Sequence, residues 1–139
     1  MNRKLVTWIL AAVLIIAVCG TILIIVLPQP TEPFTELYLL GAGGKAADYP
    51  TNLTVNQTAN VTVGVVNHEN ADVSYTLVAS LNNHTISNQS FSLANNQVWQ
   101  NSVSFTATSR GTGQKLEFDL YKDSQTSVYR SVYLFIAVT

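Results

Sequence analysis

Residues able to do chemistry gather in one short run, 67–74, which reads NHENADVS. His68, Glu69 and Asp72 would offer a ring nitrogen and carboxylate oxygens to a metal ion. Ser74, His68 and Asp72 could be drawn as nucleophile, base and orienting acid. Neither drawing has the rest of what its chemistry needs. A metal site takes at least four ligands, and no second cluster along the chain completes the set. A serine nucleophile needs a sharp elbow and donors for an oxyanion, and no such motif accompanies Ser74. GAGGK at 41–45 has the look of a phosphate loop, but no Ser or Thr follows Lys45 and no helical pattern begins there. His84 follows a turn signal and reads as a solvated side chain. The expectation is a chain with no catalytic residue, no metal and no cofactor.

A different chemistry is better represented. Asn-x-Ser/Thr, the acceptor triplet for N-linked sugar, starts at Asn52, Asn56, Asn60, Asn83 and Asn88. With 12 Asn and 26 Ser plus Thr in 139 residues, chance placement gives about two such triplets. Five is an enrichment, and the local pattern agrees with it. Asn52, Thr54 and Asn56 alternate with apolar Leu53 and Val55, so the asparagines face solvent. Asn60 is in phase with Thr62, on the outward side of the next strand, and Asn83 falls in a turn.

Sugar acceptors have meaning only on one side of a membrane, which turns attention to the N-terminus. Residues Leu5 to Leu27 run for 23 positions without a charge. About twenty apolar residues suffice to cross a bilayer as a helix, and this run exceeds the core of a cleaved secretory signal. Arg3 and Lys4 precede it and no base follows in PQPTEPF, so the positive-inside rule puts the N-terminus in the cytoplasm. Residues 1–27 are expected as a cytoplasmic tip and a transmembrane signal anchor. Residues 28–33, with Pro28, Pro30 and Pro33, form a short stiff linker. Cys19 follows Val18, not the small residue of a lipoprotein signal, and reads as a small hydrophobe within the span. With no other cysteine the outer body lacks disulfides. Its charge, five bases against eight acids, has no basic stripe and speaks against nucleic acid.

From Phe34 onward a period of two dominates. Strands are predicted over 34–40, 53–55, 60–68, 73–81, 85–93, 97–107, 115–121 and 128–138. Val61, Val63 and Val65 face inward with Thr62 and Gly64 outward. Val73, Tyr75, Leu77, Ala79 and Leu81 share one face, as do Leu116, Phe118 and Leu120 beneath Lys115, Glu117 and Asp119. Asn82-Asn83 suits a two-residue hairpin turn. Ile86 is out of phase with Phe91 and Leu93, which calls for a bulge near Asn88. Strands at this spacing without helices predict an all-β body over 34–139: an Ig-like antiparallel β-sandwich of about seven strands, behind the one N-terminal transmembrane helix. The last strand carries Val132, Leu134, Ile136 and Val138 in one phase. Tyr129, Tyr133 and Phe135 in the other form an aromatic stripe suited to a partner surface.

The stretches FTELYLLGAGGKAADYPTNLTVNQTANVTVGVVNHE, VSYTL, KLEFDLYKD and YRSVYLFIAV, together spanning essentially 34–138, resemble an uncharacterised family of archaeal membrane proteins. That family is known mainly as a domain of unknown function, frequent in methanogens and halophiles. Many relatives look longer, with several membrane helices before the β domain. The resemblance implies an archaeal cell-surface location and an immunoglobulin-like fold, and no activity.

The expected role is therefore a single-pass glycoprotein of the cell membrane, its C-terminal domain extracellular. It would bind envelope proteins or glycans as a non-catalytic scaffold, with a homo-oligomer left open. Two other readings stand beside it. One is a subunit of a pilus-like filament, assembled through the apolar helix and strand pairing. The other is a carbohydrate-binding module using the aromatic stripe.

Overall fold

The computed structural model describes residues 2–26 and 32–139, with side chains of the first stretch described as far as Cys19. The chain divides into two compact units, Met1–Glu32 and Pro33–Thr139. The first contains α1 (Arg3–Val26). Asn2 caps it, its side-chain oxygen accepting the Lys4 N–H at 3.2 Å. Leu5, Trp8, Leu10, Leu14 and Ile16 are all exposed, so α1 as far as Cys19 shows apolar side chains around its circumference. Among the residues described with their side chains, no helix is long and apolar enough to cross a membrane. Leu27 and most of the expected linker, 28–31, lie outside the described residues.

The second unit is β throughout. Its strands are β1 (Phe34–Leu40), β2 (Asn52–Leu53), β3 (Thr58–His68), β4 (Val73–Leu81), β5 (His84–Leu93), β6 (Val98–Thr106), β7 (Gly111–Lys122) and β8 (Arg130–Val138). A three-stranded sheet has the order β1-β3-β6, and a five-stranded sheet the order β2-β8-β7-β4-β5. The pairings are antiparallel with one exception. β2 runs parallel to β8, with Asn52 opposite Ala137 and Leu53 opposite Val138. A strand of two residues leaves no alternation to read, so sequence pattern did not reveal its direction.

The two sheets share one core. From the smaller come Val61, Val63, Val65, Val103 and Phe105; from the larger come Tyr75, Leu77, Leu116, Phe118, Leu120 and Ile136. These are the inward phases expected from alternation, and each such side chain contributes about 1.5–3 kcal/mol by leaving water. Trp99 stacks on Phe91 at 4.1 Å, and Phe91 meets Tyr75 at 5.7 Å, so an aromatic column also links the sheets.

Two local expectations are sharpened. The irregularity in β5 lies at Ile86 itself, because Ala79 pairs with Ser87 and Ser80 with Thr85. The bulge therefore sits two residues from Asn88, next to the hairpin. That turn is as expected: Asn82 and Asn83 adopt φ of 49° and 66°. Thr62 and Gly64 do face outward, yet both are buried. β3 is the central strand, and neighbouring side chains close over it. Tyr38 lies opposite Gly64, where an added Cβ would stand 2.0 Å from the tyrosine ring, and its hydroxyl donates to Gln100 Oε1 at 3.2 Å.

The excursion after β1 is held by backbone. The Gly41 N–H donates to the Lys45 carbonyl at 2.8 Å, and a Cβ on Gly41 would meet the Ala47 carbonyl oxygen at 2.0 Å. Gly43 has nothing within 4 Å of that position. Gly41→Ala is expected to cost about 2 kcal/mol or more, while Gly43→Ala stays within about 0.5 kcal/mol. Denaturant titration followed by Trp99 fluorescence checks the pair; equal effects would contradict the packing of this loop.

Candidate functional site

Alternation that buries one face of β7 and β8 sends their other side chains outward, and the register sets which of them meet. Lys115 lies opposite Phe135, Glu117 opposite Tyr133, and Asp119 opposite Ser131. Tyr133 and Phe135 are each 56% exposed and meet edge to face at 5.4 Å. The Lys115 ammonium stands 4.8 Å from the centre of the Tyr133 ring and is paired with Glu117. The Glu117 bond holds Lys115 protonated to a higher pH than usual. Ser131 donates to Asp119 Oδ1 at 2.8 Å. The result is an apolar ridge on β8 whose β7 flank carries both the cation and the carboxylates. It can stack on planar or C–H surfaces and accept or donate hydrogen bonds at its border.

The acceptor asparagines Asn52, Asn56, Asn60, Asn83 and Asn88 are all exposed. Asn52, beside Ala137, is on the same outer face as Phe135. Asn88 pairs with outward Val78, at the opposite edge of that face. Asn83 is at the hairpin tip, and Asn56 sits in a turn with φ of 69°. Asn60 is on the outer face of the other sheet, where its side-chain oxygen accepts the Ser104 hydroxyl.

Tyr129 does not join the other two aromatics. It precedes β8, is half-buried, and gives its hydroxyl to Glu69 Oε1. Glu69, whose side chain is 4% exposed, also accepts Thr35 Oγ1 at 2.8 Å and Lys122 Nζ at 3.1 Å. Thr35 in turn is 2.8 Å from the Tyr75 hydroxyl. Lys122 and Arg130 stand 5.1 and 4.7 Å from the Tyr129 ring. This cluster joins β1 and the end of β3 to β4, β7 and β8, so it ties one sheet to the other. From its sequence neighbours Glu69 reads only as a potential metal ligand. The partners arrive from 34 to 60 residues away, and no local motif announces them.

The other chemistry-bearing residues are dispersed. His68 bonds Glu36 Oε2 at 3.0 Å and stacks on Phe34 at 4.7 Å, on the outer face of the three-stranded sheet. Ser74 is 3.2 Å from Ser92 on the outer face of the five-stranded sheet, so the drawn triad is split between opposite sides of the body. Among the described residues, no three His, Cys, Asp or Glu side chains converge as a metal set. His84 and Ile86 help line an open cleft of about 210 Å³ at the hairpin end, whose Gln114 amide is already bonded to Asn82 and Ser109.

Burial by itself would raise the Glu69 carboxyl, but the bonds from Tyr129, Thr35 and Lys122 outweigh it and hold it below its ordinary value of 4.5. A depressed folded value means that the unfolded chain takes up the proton first. The cluster's contribution is thus complete above about pH 4.5 and is lost as pH falls through the folded value. Burial and Glu69 raise Tyr129, which favours its neutral, donating form. Glu69→Gln is expected to lower stability by about 2 kcal/mol at neutral pH and to flatten the acid limb of stability against pH. Urea midpoints measured from pH 7 to pH 3 check both; an unchanged acid limb would show that Glu69 does not couple to folding.

No protein of curated function matches the sequence. Solved structures do match the fold. The CARDB domain of the PF1109 protein from Pyrococcus furiosus, in complex with di-metal ions, is 18% identical with a TM-score of 0.58 over 80% of this chain and 97% of that one. Its solution structure gives 19% and 0.58, over 78% and 97%. A mutant β-glucosidase from Listeria innocua, in complex with laminaribiose, gives 10% and 0.55 over 81% of this chain but 17% of the enzyme. At these identities the likeness is one of fold, an Ig-like β body. Residues 28–137 match the family described as Domain of unknown function (DUF1616), so the match takes in the proline-rich residues as well as the strands, and the chain belongs to that family.

Proposed function

We propose that this protein is a membrane-anchored, N-glycosylated module of the archaeal cell surface, whose β-sandwich binds envelope proteins as a non-catalytic scaffold. The observation that carries the reading is the solvent-exposed Tyr133–Phe135 pair on the outer face of the five-stranded sheet. Phe34, 42% exposed, is stacked on His68, and the remaining aromatic side chains of the body are buried at least in part, whereas Tyr133 and Phe135 stand open together, as the aromatic anchors of an interface do.

Other features support the setting. The uncharged run Leu5–Leu27 behind Arg3 and Lys4 suits an anchor with its N-terminus inside, and a 24-residue helix rises about 36 Å. A helix apolar on every side needs an apolar surround. The five exposed acceptor asparagines suit a body on the side where sugars are added. His68 and Ser74, committed to Glu36 and Ser92, favour binding over catalysis.

The test is crosslinking with mass spectrometry on intact cells of the native host, comparing the wild-type chain with a Tyr133→Ala/Phe135→Ala double variant. Loss of hot-spot aromatics should reduce crosslinked neighbours roughly tenfold or more while the melting temperature of the body holds. Unchanged neighbours would remove the ridge as the binding face. Loss confined to polysaccharide retention would favour a carbohydrate-binding module, and a detergent-resistant sedimenting polymer a filament subunit. The same spectra report which of the five asparagines carry sugar.

A further inference from the structure

Four strands form the sheet edges: β1 and β6 in the smaller sheet, β2 and β5 in the larger. An edge offers a row of unpaired N–H and C=O groups to any passing strand. Proteins blunt edges with short strands, charge, proline, bulges or cover. Three of these four edges are managed. β2 is two residues long. β5 is bulged at Ile86 and bears the acceptor Asn88. On β1 the carbonyls of Thr35 and Leu39 accept Arg130 Nε at 3.3 Å and the Tyr49 hydroxyl at 2.9 Å.

β6 lacks charge, proline and a bulge; its Asn101 caps the neighbouring Ser102 N–H and donates its amide to Gln89 Oε1 on β5 at 3.1 Å. Its nine residues, VWQNSVSFT, contain no charge, no proline and no glycine, and Asn101 begins no sugar-acceptor triplet. Its register with β3 runs unbroken from Thr58↔Thr106 to Val66↔Val98. The bonds at its two ends show which backbone groups are free. The Asn67 N–H donates to the Gln97 carbonyl at 3.2 Å, and the Ala107 N–H to the Gln57 carbonyl at 3.0 Å. Odd positions therefore bond to β3. By the two-residue repeat, the N–H and C=O groups of Val98, Gln100, Ser102, Ser104 and Thr106 point the other way, off the sheet. At the middle of this row the Ser102 N–H is met locally by Asn101 Oδ1 at 3.0 Å.

We infer that β6 is a self-pairing edge: two copies of the chain join β6 to β6, antiparallel about a two-fold axis, and fuse their smaller sheets into one. The occupant is a second copy because the strand is uncharged, so like meets like without repulsion. Antiparallel pairing of identical strands also closes on itself, which a two-fold dimer requires. A register centred on Ser102 sets 55%-exposed Val98 against Thr106 and Gln100 against Ser104. It would also turn the Asn101 side chain away from the Ser102 N–H, giving up that contact and the 3.1 Å bond from the Asn101 amide to Gln89 Oε1 in exchange for backbone pairing across the dimer. This surface is separate from the Tyr133–Phe135 ridge, and the inference does not depend on it.

The experiment measures the mass of the full chain in detergent by light scattering and sedimentation. The wild-type chain is expected to dimerise. Ser102→Pro removes an N–H that β3 does not use, and Ser102→Lys places two cations face to face at the dimer axis. Each should weaken the dimer tenfold or more without loss of the β circular-dichroism signal. If proline disturbs the fold, the lysine variant decides. Mixing Ser102→Lys with Ser102→Glu chains should restore a dimer, while Asn88→Lys on β5 leaves the wild-type dimer intact. A monomeric wild-type chain overturns the proposal. So does a dimer that withstands both substitutions at Ser102, since association would then run through another surface.

Discussion

The apolar layer between the two sheets is the interaction on which everything else rests. The one cysteine stands at position 19, within α1, so the β body has no disulfide between its sheets. Val61, Val63 and Val65 must meet Leu116, Phe118 and Leu120 closely enough to do alone what a disulfide would share in a smaller secreted domain. The Tyr75–Phe91–Trp99 column adds rigid, well-defined contacts to a layer made largely of short branched side chains. Such a core tolerates little shift of one sheet over the other, because each step of one residue turns apolar side chains outward.

At one end of that layer the chain uses polarity where apolar packing gives way. Glu69 sits where β3 leaves its sheet, and it gathers donors from Thr35, Lys122 and Tyr129. A buried carboxylate is tolerable only when fully bonded, and this one is. The same geometry explains why Tyr129 parts company with Tyr133 and Phe135 despite sharing their phase in sequence. It lies before β8 begins, with two cations close to its ring and its hydroxyl drawn to Glu69.

The outer surfaces then follow from what the core leaves over. One face of β7 and β8 carries an aromatic ridge with charges about it. The outer face of β3 is closed by its neighbours, Tyr38 over Gly64 being the tightest instance. The acceptor asparagines fall on edges, turns and outward positions, the places where a bulky modification costs the fold least. The edges differ in the same practical way: β2 is short, β5 is bulged and β1 is capped by Arg130 and Tyr49, while β6 is long, uncharged and unbroken, with a local cap from its own Asn101.

Sequence alone determined the all-β body, most strand positions, the inward phases and the Asn82-Asn83 turn. All of these rest on local rules: alternation, and the tolerance of asparagine for positive φ. The exposure of the acceptor asparagines was legible for the same reason. Tertiary structure alone decided how the strands divide between two sheets, the parallel seating of β2 on β8, the seat of the anticipated β5 bulge at Ile86, and the assembly of Glu69 with residues far along the chain. It also decided that Tyr133 and Phe135 stand together in the open while Tyr129 does not. Alternation says which side chains share a face, but only the neighbouring strands determine whether that face is covered, and no spacing rule within one strand carries that information.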